Sequence, residues 1–390
     1  MIETAEFRPF EFAQGVNDVA MREFFVWCAR QEASDIHIQG GNHLVVDQHG
    51  RKRRASAFVL ADDTLSKVMD EIFSPEVRSM VKGGTPVDRA LQLDGDMYNR
   101  YGLERGERLR FRCNFVQATA GRLDTTIALT MRIIPSEILD LTQMGIEPDL
   151  FEALLPPNGL GILGGITGSG KSTLAAAGYR YCQITDPDRK ITTIEDPIEF
   201  VLGRPDDILQ PTQLQIGRDV DSYAEAIRAD LRRAPSIIGI GEMRDLQTFQ
   251  AGVLAGQLGH FNLTTMHIHS PGEAVPRCLT MVPAEMREAT ARDLLGVLQY
   301  IVVQKLLRTA DGKRTAVREY IIFDDPLRAK LGDMPYTLWG QHIDAIIRQE
   351  NRRIADQAWR LYQQGIIERS ELRMAMTSHQ ERAFEQGNGA

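Results

Sequence analysis

The chain has 390 residues with a formal net charge of −8, 43% hydrophobic residues and 25% charged residues. This length predicts about two or three domains that bury hydrophobic cores. The acidic balance argues against a protein that grips nucleic acid by bulk electrostatics, and direct sequence-specific nucleic-acid binding is not expected. No run approaches the ~20 apolar residues of a transmembrane helix.

The four cysteines are spread along the sequence and form no C-x-x-C pair. They are Cys28, Cys113, Cys182 and Cys278. Isolated thiols predict a reducing, cytoplasmic environment and argue against a zinc site.

Residues 1–135 predict a mixed α/β domain. Apolar residues with helical spacing cover residues 19–30 and 65–73,. Alternating apolar and polar residues predict strands at 35–39, 43–47, 109–115 and 125–134, the last two as a hairpin or as neighbours,. Arg110, Arg112 and Arg132 lie on these last strands. Arginine reads phosphate charge across an interface, although any one strand arginine faces solvent by default.

The rest of the chain predicts a linker, a second domain and a helical extension. Proline-rich punctuation predicts the linker at residues 136–150. Over residues 151–325, short apolar runs alternate with helical patterns, which is typical of a largely parallel sheet covered by helices. The strands predicted there are residues 160–164, 191–194, 236–240 and 261–265. Residues 326–390 are polar and helical in pattern, with Gly365 as a helix stop.

Residues 165–172 fit the pattern G-x-x-x-x-G-K-[ST] at every defined position. A strand-like run precedes them and helix formers follow, which is the context of a phosphate-binding loop and disfavours a chance glycine turn. Lys171 is expected to reach the β- and γ-phosphates, and the Ser172 hydroxyl to ligate Mg²⁺. The nucleotide-binding residues predicted here are Gly165, Thr167, Gly168, Ser169, Gly170, Lys171, Ser172 and Thr173.

Two acidic clusters follow predicted strands. Glu195 and Asp196 end one strand, where a carboxylate either holds Mg²⁺ through its waters or caps a solvated loop. Glu242 follows an apolar run that has the form of a Walker B strand, but Gly241 stands where an Asp would ligate the metal. Glu242 is therefore the candidate to activate or polarise water.

His260 and His267 flank the strand predicted at 261–265. We interpret them as sensors of a γ-phosphate or as a bridge to Glu242, although a lone histidine is more often a satisfied structural residue. Metal binding by these histidines is the more specific alternative, but no thiol or carboxylate partner stands at the sequence spacing of a second metal ligand.

These clusters, in this order and spacing, resemble the motifs of the PilT/GspE family of secretion and pilus ATPases. Its Walker A loop, Asp box, atypical Walker B and His box are similar to residues 165–172, 193–199, 237–245 and 259–267. Its A-S-D-[IL]-H, R-x-R-x-N and R-x-I-P motifs are similar to residues 33–37, 110–114 and 131–135. The resemblance covers about residues 20–325.

Two segments resemble one branch of this family more than the others. Residues 318–325 and 365–367 look most like the DotB/TraJ branch, whose members serve type IVB secretion and the related conjugative transfer. The four-cysteine zinc module typical of pilus-assembly and type II secretion members is absent from the sequence. Residues 345–348 only weakly resemble the A-I-R-N-L-I-R-E stretch of retraction ATPases.

The resemblance implies a PAS-like first domain and a RecA-like ATPase domain, assembled as a homo-hexamer that binds ATP and Mg²⁺. It implies Glu242 as general base, and Glu195 with Ser172 as the groups that order Mg²⁺. Arg112 and Arg132 would contact the phosphates held by another subunit, and His260 and His267 would link γ-phosphate state to domain position. The implied partners are inner-membrane or coupling subunits, on which a cytoplasmic ring docks at the inner face of the membrane.

Three other functions remain open at this point. A pilus retraction ATPase is the nearest, and a nucleotide-binding regulatory module with incidental hydrolysis belongs to a different class. A nucleic-acid helicase is disfavoured because the chain is acidic and lacks an obvious basic, aromatic groove.

Overall fold

The computed structural model describes residues 7–98, 100–121, 123–134, 137–204 and 206–387. The chain forms two compact units, Met1–Glu137 and Ile138–Ala390. Pro135 and Ser136, at the predicted end of the first domain and start of the linker, lie outside the described residues.

The described residues of the first unit form one antiparallel sheet and three α-helices. In chain order its elements are α1 (Asp18–Arg30), β1 (Ala33–Gln39), β2 (Val45–Gln48), β3 (Arg51–Arg54), α2 (Asp62–Ile72), α3 (Pro75–Lys82), β4 (Val87–Asp94), β5 (Arg108–Ala120) and β6 (Leu123–Ile134). The strand order is β3-β2-β1-β6-β5-β4. The predicted helices and the predicted β5–β6 hairpin are confirmed, whereas α3 and β4 were not predicted.

Burial in the first unit alternates along the long strands. In β5, Phe111, Cys113 and Phe115 are buried, and the residues between them are partly or fully exposed. Successive side chains of a strand point to opposite faces, so this sheet packs one face on the core and leaves the other polar. Arg112 pairs in register with Arg132, which pairs with Asp35.

The second unit contains a mixed sheet and eleven of the α-helices in the described residues. Its elements are α4 (Pro148–Ala153), β7 (Gly159–Gly164), α5 (Lys171–Thr185), β8 (Ile191–Glu195), β9 (Thr212–Gln215), α6 (Tyr223–Asp230), β10 (Ile237–Ile240), α7 (Leu246–Gln257), β11 (Phe261–Met266), α8 (Ala274–Thr280), α9 (Arg287–Val297), β12 (Leu298–Arg308), β13 (Arg314–Ile322), α10 (Asp325–Gly332), α11 (Trp339–Gln349), α12 (Ile354–Gln363), α13 (Arg369–Ala375) and α14 (Ser378–Glu385).

The sheet of the second unit has the order β13-β12-β7-β11-β10-β8-β9. All neighbouring pairs are parallel except β12 and β13, which confirms the predicted α/β class with a mostly parallel sheet. Ile162 and Leu163 are consecutive in β7 but belong to different hydrophobic clusters. The two clusters therefore cover opposite faces of the sheet, as parallel strands require.

Most of the segment predicted as a linker packs within the second unit. Leu141 and Leu150 are buried in the same cluster as Leu163 and Leu174. The prolines and glycines of residues 136–150 predicted a linker, but the apolar side chains between them bind this segment to a core. The structure thus places residues 138–150 in the second unit.

The C-terminal helices also belong to the second unit. Ala355, Ala358 and Leu372 form a small cluster with Leu307 of β12 and Val317 of β13. Gly365 follows α12 with a φ of +71°, which fits the predicted helix stop,. The division at residue 325 stays a prediction, because both sides lie in one compact unit.

Candidate active site

The loop that joins β7 to α5 depends on its glycines. Gly168 and Gly170 have φ angles of +78° and +86°, which L side chains rarely adopt,. A Cβ atom on Gly165 would lie 2.5 Å from the carbonyl oxygen of Gln304, and one on Gly170 would lie 2.8 Å from its Nε2 atom. The loop is therefore packed so closely on β12 that only glycine fits at both ends.

The helix that follows the loop offers its N-terminus to an anion. Helix α5 begins at Lys171 after Gly170, which has no side chain to cap the first-turn N–H groups,. Lys171 is buried, and its Nζ donates to the carbonyl oxygens of Gly165 at 2.7 Å and Ile166 at 3.0 Å. Burial lowers the pKa of Lys171, and the nearby carboxylates of Glu242 and Glu199 partly oppose this,. The loop, ammonium group and helix N-terminus together fit a phosphate chain.

Parallel pairing brings the predicted motifs to one edge of the sheet. β7, β11, β10 and β8 are adjacent and parallel, so their carboxyl ends lie side by side. The 165–172 loop, His267, Glu242 and Glu195 follow or end these strands. The carboxyl edge of an open α/β sheet is the usual place for a ligand.

Glu195 is partly buried at this edge and accepts three hydrogen bonds. Its Oε1 accepts hydrogen bonds from Thr193 Oγ1 at 2.6 Å and Gln213 Nε2 at 3.2 Å, and its Oε2 accepts from the Glu199 amide at 3.3 Å. Burial raises the pKa of Glu195, and these donors partly counteract the shift,. Glu195 and Ser172 line the same cavity.

Glu242 is held by an arginine two residues along the chain. Its Oε2 accepts from Arg244 Nη2 at 2.6 Å and from Nε at 2.7 Å, and His267 Nε2 lies 3.8 Å from its Oε1. A Cβ on Gly241 would lie 3.0 Å from the Ile194 carbonyl oxygen. Gly241 thus permits the close approach of the neighbouring strand, β8.

His260 lies at the other end of β11 from His267. Its Nδ1 is 2.7 Å from the carbonyl oxygen of Pro235, before β10 begins. A six-residue strand separates the two histidines by about 20 Å. Within this unit the structure brings His267 to Glu242 but does not bring His260 there, because the strand is extended and both histidines flank it.

Arg112 and Arg132 belong to the polar sheet face of the first unit. Arg132 Nε donates to Asp35 Oδ1 at 2.9 Å, and about half of the Arg132 side chain is exposed (50%). Arg112 is exposed on the neighbouring strand. Their predicted contact with phosphate is taken up in the proposed function.

A Mg²⁺ ion fits this edge only as a sparsely liganded ion. The described parts of the chain hold no group of three or more His, Cys, Asp or Glu side chains that could enclose a metal. Mg²⁺ commonly keeps several waters and takes one or two protein ligands beside phosphate oxygens. Ser172 and Glu195 match that sparse donor set.

Several contacts of the site were missed in the sequence. Arg244, Gln213 and Gln304 hold Glu242, Glu195 and the loop, respectively. Gln213 and Gln304 lie far along the chain from their partners, on strands that the sequence did not predict. The spacing of Arg244 from Glu242 was the one local signal that could have identified a partner.

The chain is similar to proteins of a known family over most of its length. The family model described as "Type II/IV secretion system protein" matches residues 22–364. The chain belongs to this family. Among curated relatives, the type IV pilus retraction ATPase PilT of Pseudomonas aeruginosa is 30% identical over 306 residues, which span 78% of this chain and 83% of PilT.

Two solved structures resemble the whole fold. The ATPase DotB of Legionella pneumophila has a TM-score of 0.84 at 29% identity, over 95% of this chain and 97% of DotB. The pilus retraction motor PilT with bound ADP has a TM-score of 0.73 at 27% identity, over 93% of this chain and 98% of PilT. The family is thus that of secretion and pilus ATPases, with a RecA-like fold close to DotB.

None of the helices in the described residues is both long enough and apolar enough to cross a bilayer,.

Proposed function

We propose that this protein is the hexameric motor ATPase that hydrolyses ATP to power a type IVB secretion or conjugative DNA-transfer apparatus. The observation that carries the activity is the single sheet edge where the 165–172 loop, Glu195, Glu242 and His267 meet. The TM-score with DotB, 0.84 against 0.73 for PilT, favours the type IVB branch.

Each functional residue at this edge has its own role in ATP hydrolysis. The loop N–H groups and Lys171 bind and orient the phosphates of ATP. When bound, Mg²⁺ neutralises charge that develops on the phosphate oxygens. Arg244 holds Oε2 of Glu242, so Oε1 accepts the proton of the attacking water,. The water oxygen bonds to the γ-phosphorus as the bond to the bridging oxygen breaks, which releases ADP and phosphate.

The ring is proposed to complete each site with a second subunit. Arg112 and Arg132 of one subunit would contact phosphate held by residues 151–325 of another, since arginine binds phosphate oxygens in a planar, bidentate way. His267 would sense the γ-phosphate, and β11 would connect it to His260 at its other end. Movement of the predicted linker, residues 136–150, would then convert hydrolysis into work, with residues 138–150 moving together with the core of the second unit,.

The ring is proposed to act in the cytoplasm, docked peripherally at the inner face of the membrane. Its partners would be inner-membrane or coupling subunits of the secretion or conjugation machine. Residues 326–390 would be a helical extension of the motor. A pilus retraction ATPase is the second candidate, which the 30% identity with PilT over 83% of that protein supports.

Turnover tests the ATPase assignment. With Mg²⁺ and ATP, Lys171→Ala is expected to lower phosphate release about 100-fold or more, because the charge on the phosphates loses its cation. Lys67→Ala, at an exposed position on α2, is the matched control and should keep wild-type turnover. Tight ATP binding by the wild-type protein without turnover would instead favour the regulatory module.

Crosslinking in the native membrane tests the branch. Recovery of coupling subunits of a secretion or conjugation machine supports the type IVB assignment. Recovery of a pilus platform protein in their place supports retraction.

A further inference from the structure

A buried arginine lies between the start of the second unit and the candidate phosphate loop. Arg318 of β13 is 1% exposed. Its Nη1 and Nη2 donate to the carbonyl oxygens of Gly145 and Met144 at 3.1 and 3.2 Å. Its Nε donates to Gln304 Oε1 at 2.9 Å. A charge this deeply buried persists only when it has hydrogen-bond partners, and these three acceptors give each nitrogen of the guanidinium group one partner,.

Gln304 continues the chain of hydrogen bonds into the loop. Its Nε2 donates to the carbonyl oxygen of Ser169 at 2.8 Å. Arg318 can only donate and the Ser169 carbonyl can only accept, so the Gln304 amide has one orientation that satisfies both. A rotation of the Ser169 carbonyl away from Gln304 would therefore leave this amide, and then Arg318, without the same partners.

At its other end, this series of hydrogen bonds reaches the segment that follows the first unit. Residues 141–147 begin shortly after that unit ends at Glu137. Glu147 Oε2 lies 3.7 Å from Arg318 Nη1, and its Oε1 accepts from Gln357 Nε2 at 2.6 Å. The segment is thus attached to β13 and α12 by side chains of the second unit.

We infer that Gln304 and Arg318 are positioning residues that transmit the nucleotide state of the 165–172 loop to residues 141–147. This inference rests on the proposed nucleotide site. The path has three links, Ser169 to Gln304, Gln304 to Arg318, and Arg318 to the Met144 and Gly145 carbonyls. All three links are buried or half-buried, so water poorly replaces a hydrogen bond that breaks there. A change in one link therefore favours a change in the link next to it. Neither side chain is proposed to touch nucleotide.

Hydrogen exchange of the full-length protein tests this path. In wild type, a non-hydrolysable ATP analogue with Mg²⁺ is expected to change amide exchange in residues 141–147 about threefold or more. Gln304→Met keeps the side-chain length but cannot donate to Ser169 or accept from Arg318. At a concentration of the analogue that saturates the variant, exchange in residues 141–147 should no longer respond.

A second variant and a control separate transmission from loss of folding. Arg318→Lys keeps a charge but cannot reproduce the three-way contact, so it should also uncouple the segment. Gln357→Met removes a contact with Glu147 and the acceptor of the Arg318 backbone N–H, but it leaves the three side-chain links of the path in place, so exchange in residues 141–147 should still respond to the analogue.

The outcomes distinguish this inference from the proposed function. If wild type binds the analogue and residues 141–147 do not respond, or if either Gln304→Met or Arg318→Lys responds as wild type does, the path is refuted and the ATPase assignment stands. If wild type binds no nucleotide, both are refuted.

Discussion

The two sheets of this protein place their polar side chains differently. In the first unit, burial alternates along β5, and Arg112 and Arg132 lie on the exposed face. In the second unit, β7 and β10 are buried over their whole length, and Glu242 and His267 follow the ends of strands. A sheet with one exposed face can carry functional side chains along its strands. A sheet covered on both faces carries them at the carboxyl ends of its strands.

The largest expected effect is at the strand ends. Glu242→Gln keeps the size of the side chain but removes the base, so we expect ATP turnover to fall about 100-fold or more while ATP still binds. Steady-state phosphate release and equilibrium binding of a fluorescent ATP analogue measure the two quantities. Glu225→Gln, an exposed change on α6, is the control. Wild-type turnover in Glu242→Gln would show that the edge does not supply the base.

The second effect is a loss of stability at a buried position within a strand of the second unit. Ile238 is 0% exposed in β10, so Ile238→Ala should lower the free energy of unfolding by about 3 kcal/mol through lost burial and a residual cavity,. Gln117→Ala, at an exposed position of β5, should change it by less than about 0.5 kcal/mol,. Urea unfolding of both variants gives the comparison. Equal losses of unfolding free energy in the two variants would mean that β10 and β5 do not differ in burial at these positions.

The third effect concerns the exposed face of the first sheet. Arg132→Ala should lower turnover about tenfold, because a phosphate loses one charge-assisted contact, while ATP binding to the second unit survives. Arg108→Ala removes an exposed arginine of the neighbouring strand β5 and should leave turnover unchanged. The dependence on assembly is checked by dilution. Full turnover by a monomer at every concentration would contradict a site completed by a second subunit.

The sequence predicted most of what is local in this fold. The 165–172 loop, β7, β8, β10 and β11 were identified because each has a short apolar run beside a motif, and the parallel order then brought their ends together. It did not predict the partners that are distant in the chain. Gln213 lies in β9, a short strand of partly exposed residues without a clear apolar pattern, 18 residues from Glu195. No spacing rule connects two such positions.

β13 was missed for a related reason. Arg318 and Glu319 stand side by side within it, and adjacent charges are typical of a solvated segment. The structure buries Arg318 because carbonyl oxygens of residues 144 and 145 accept its hydrogen bonds. The linker prediction failed to include this packing, since proline and glycine reveal where a chain turns and not what it packs against.

The smallest expected effect is a pH dependence from Glu319, a carboxyl in the body of a strand. The pKa of Glu319 is raised to about 7, mainly by burial, with Asp344 and Asp356 adding to the shift and the Ile354 amide and Arg353 opposing it. The folded state thus favours the protonated acid, so this stabilisation is complete below the unfolded pKa and is lost as the pH rises through 7. Glu319→Gln mimics the protonated form and should exceed wild type in stability by about 1 kcal/mol at pH 8, with the gap closing toward pH 4.5. Thermal unfolding across this range measures the gap, with Glu288→Gln as the exposed control. A gap that stays constant with pH would mean that Glu319 titrates as an ordinary surface acid. A carboxylate within a strand of this sheet would then be no more costly than one that follows the end of a strand.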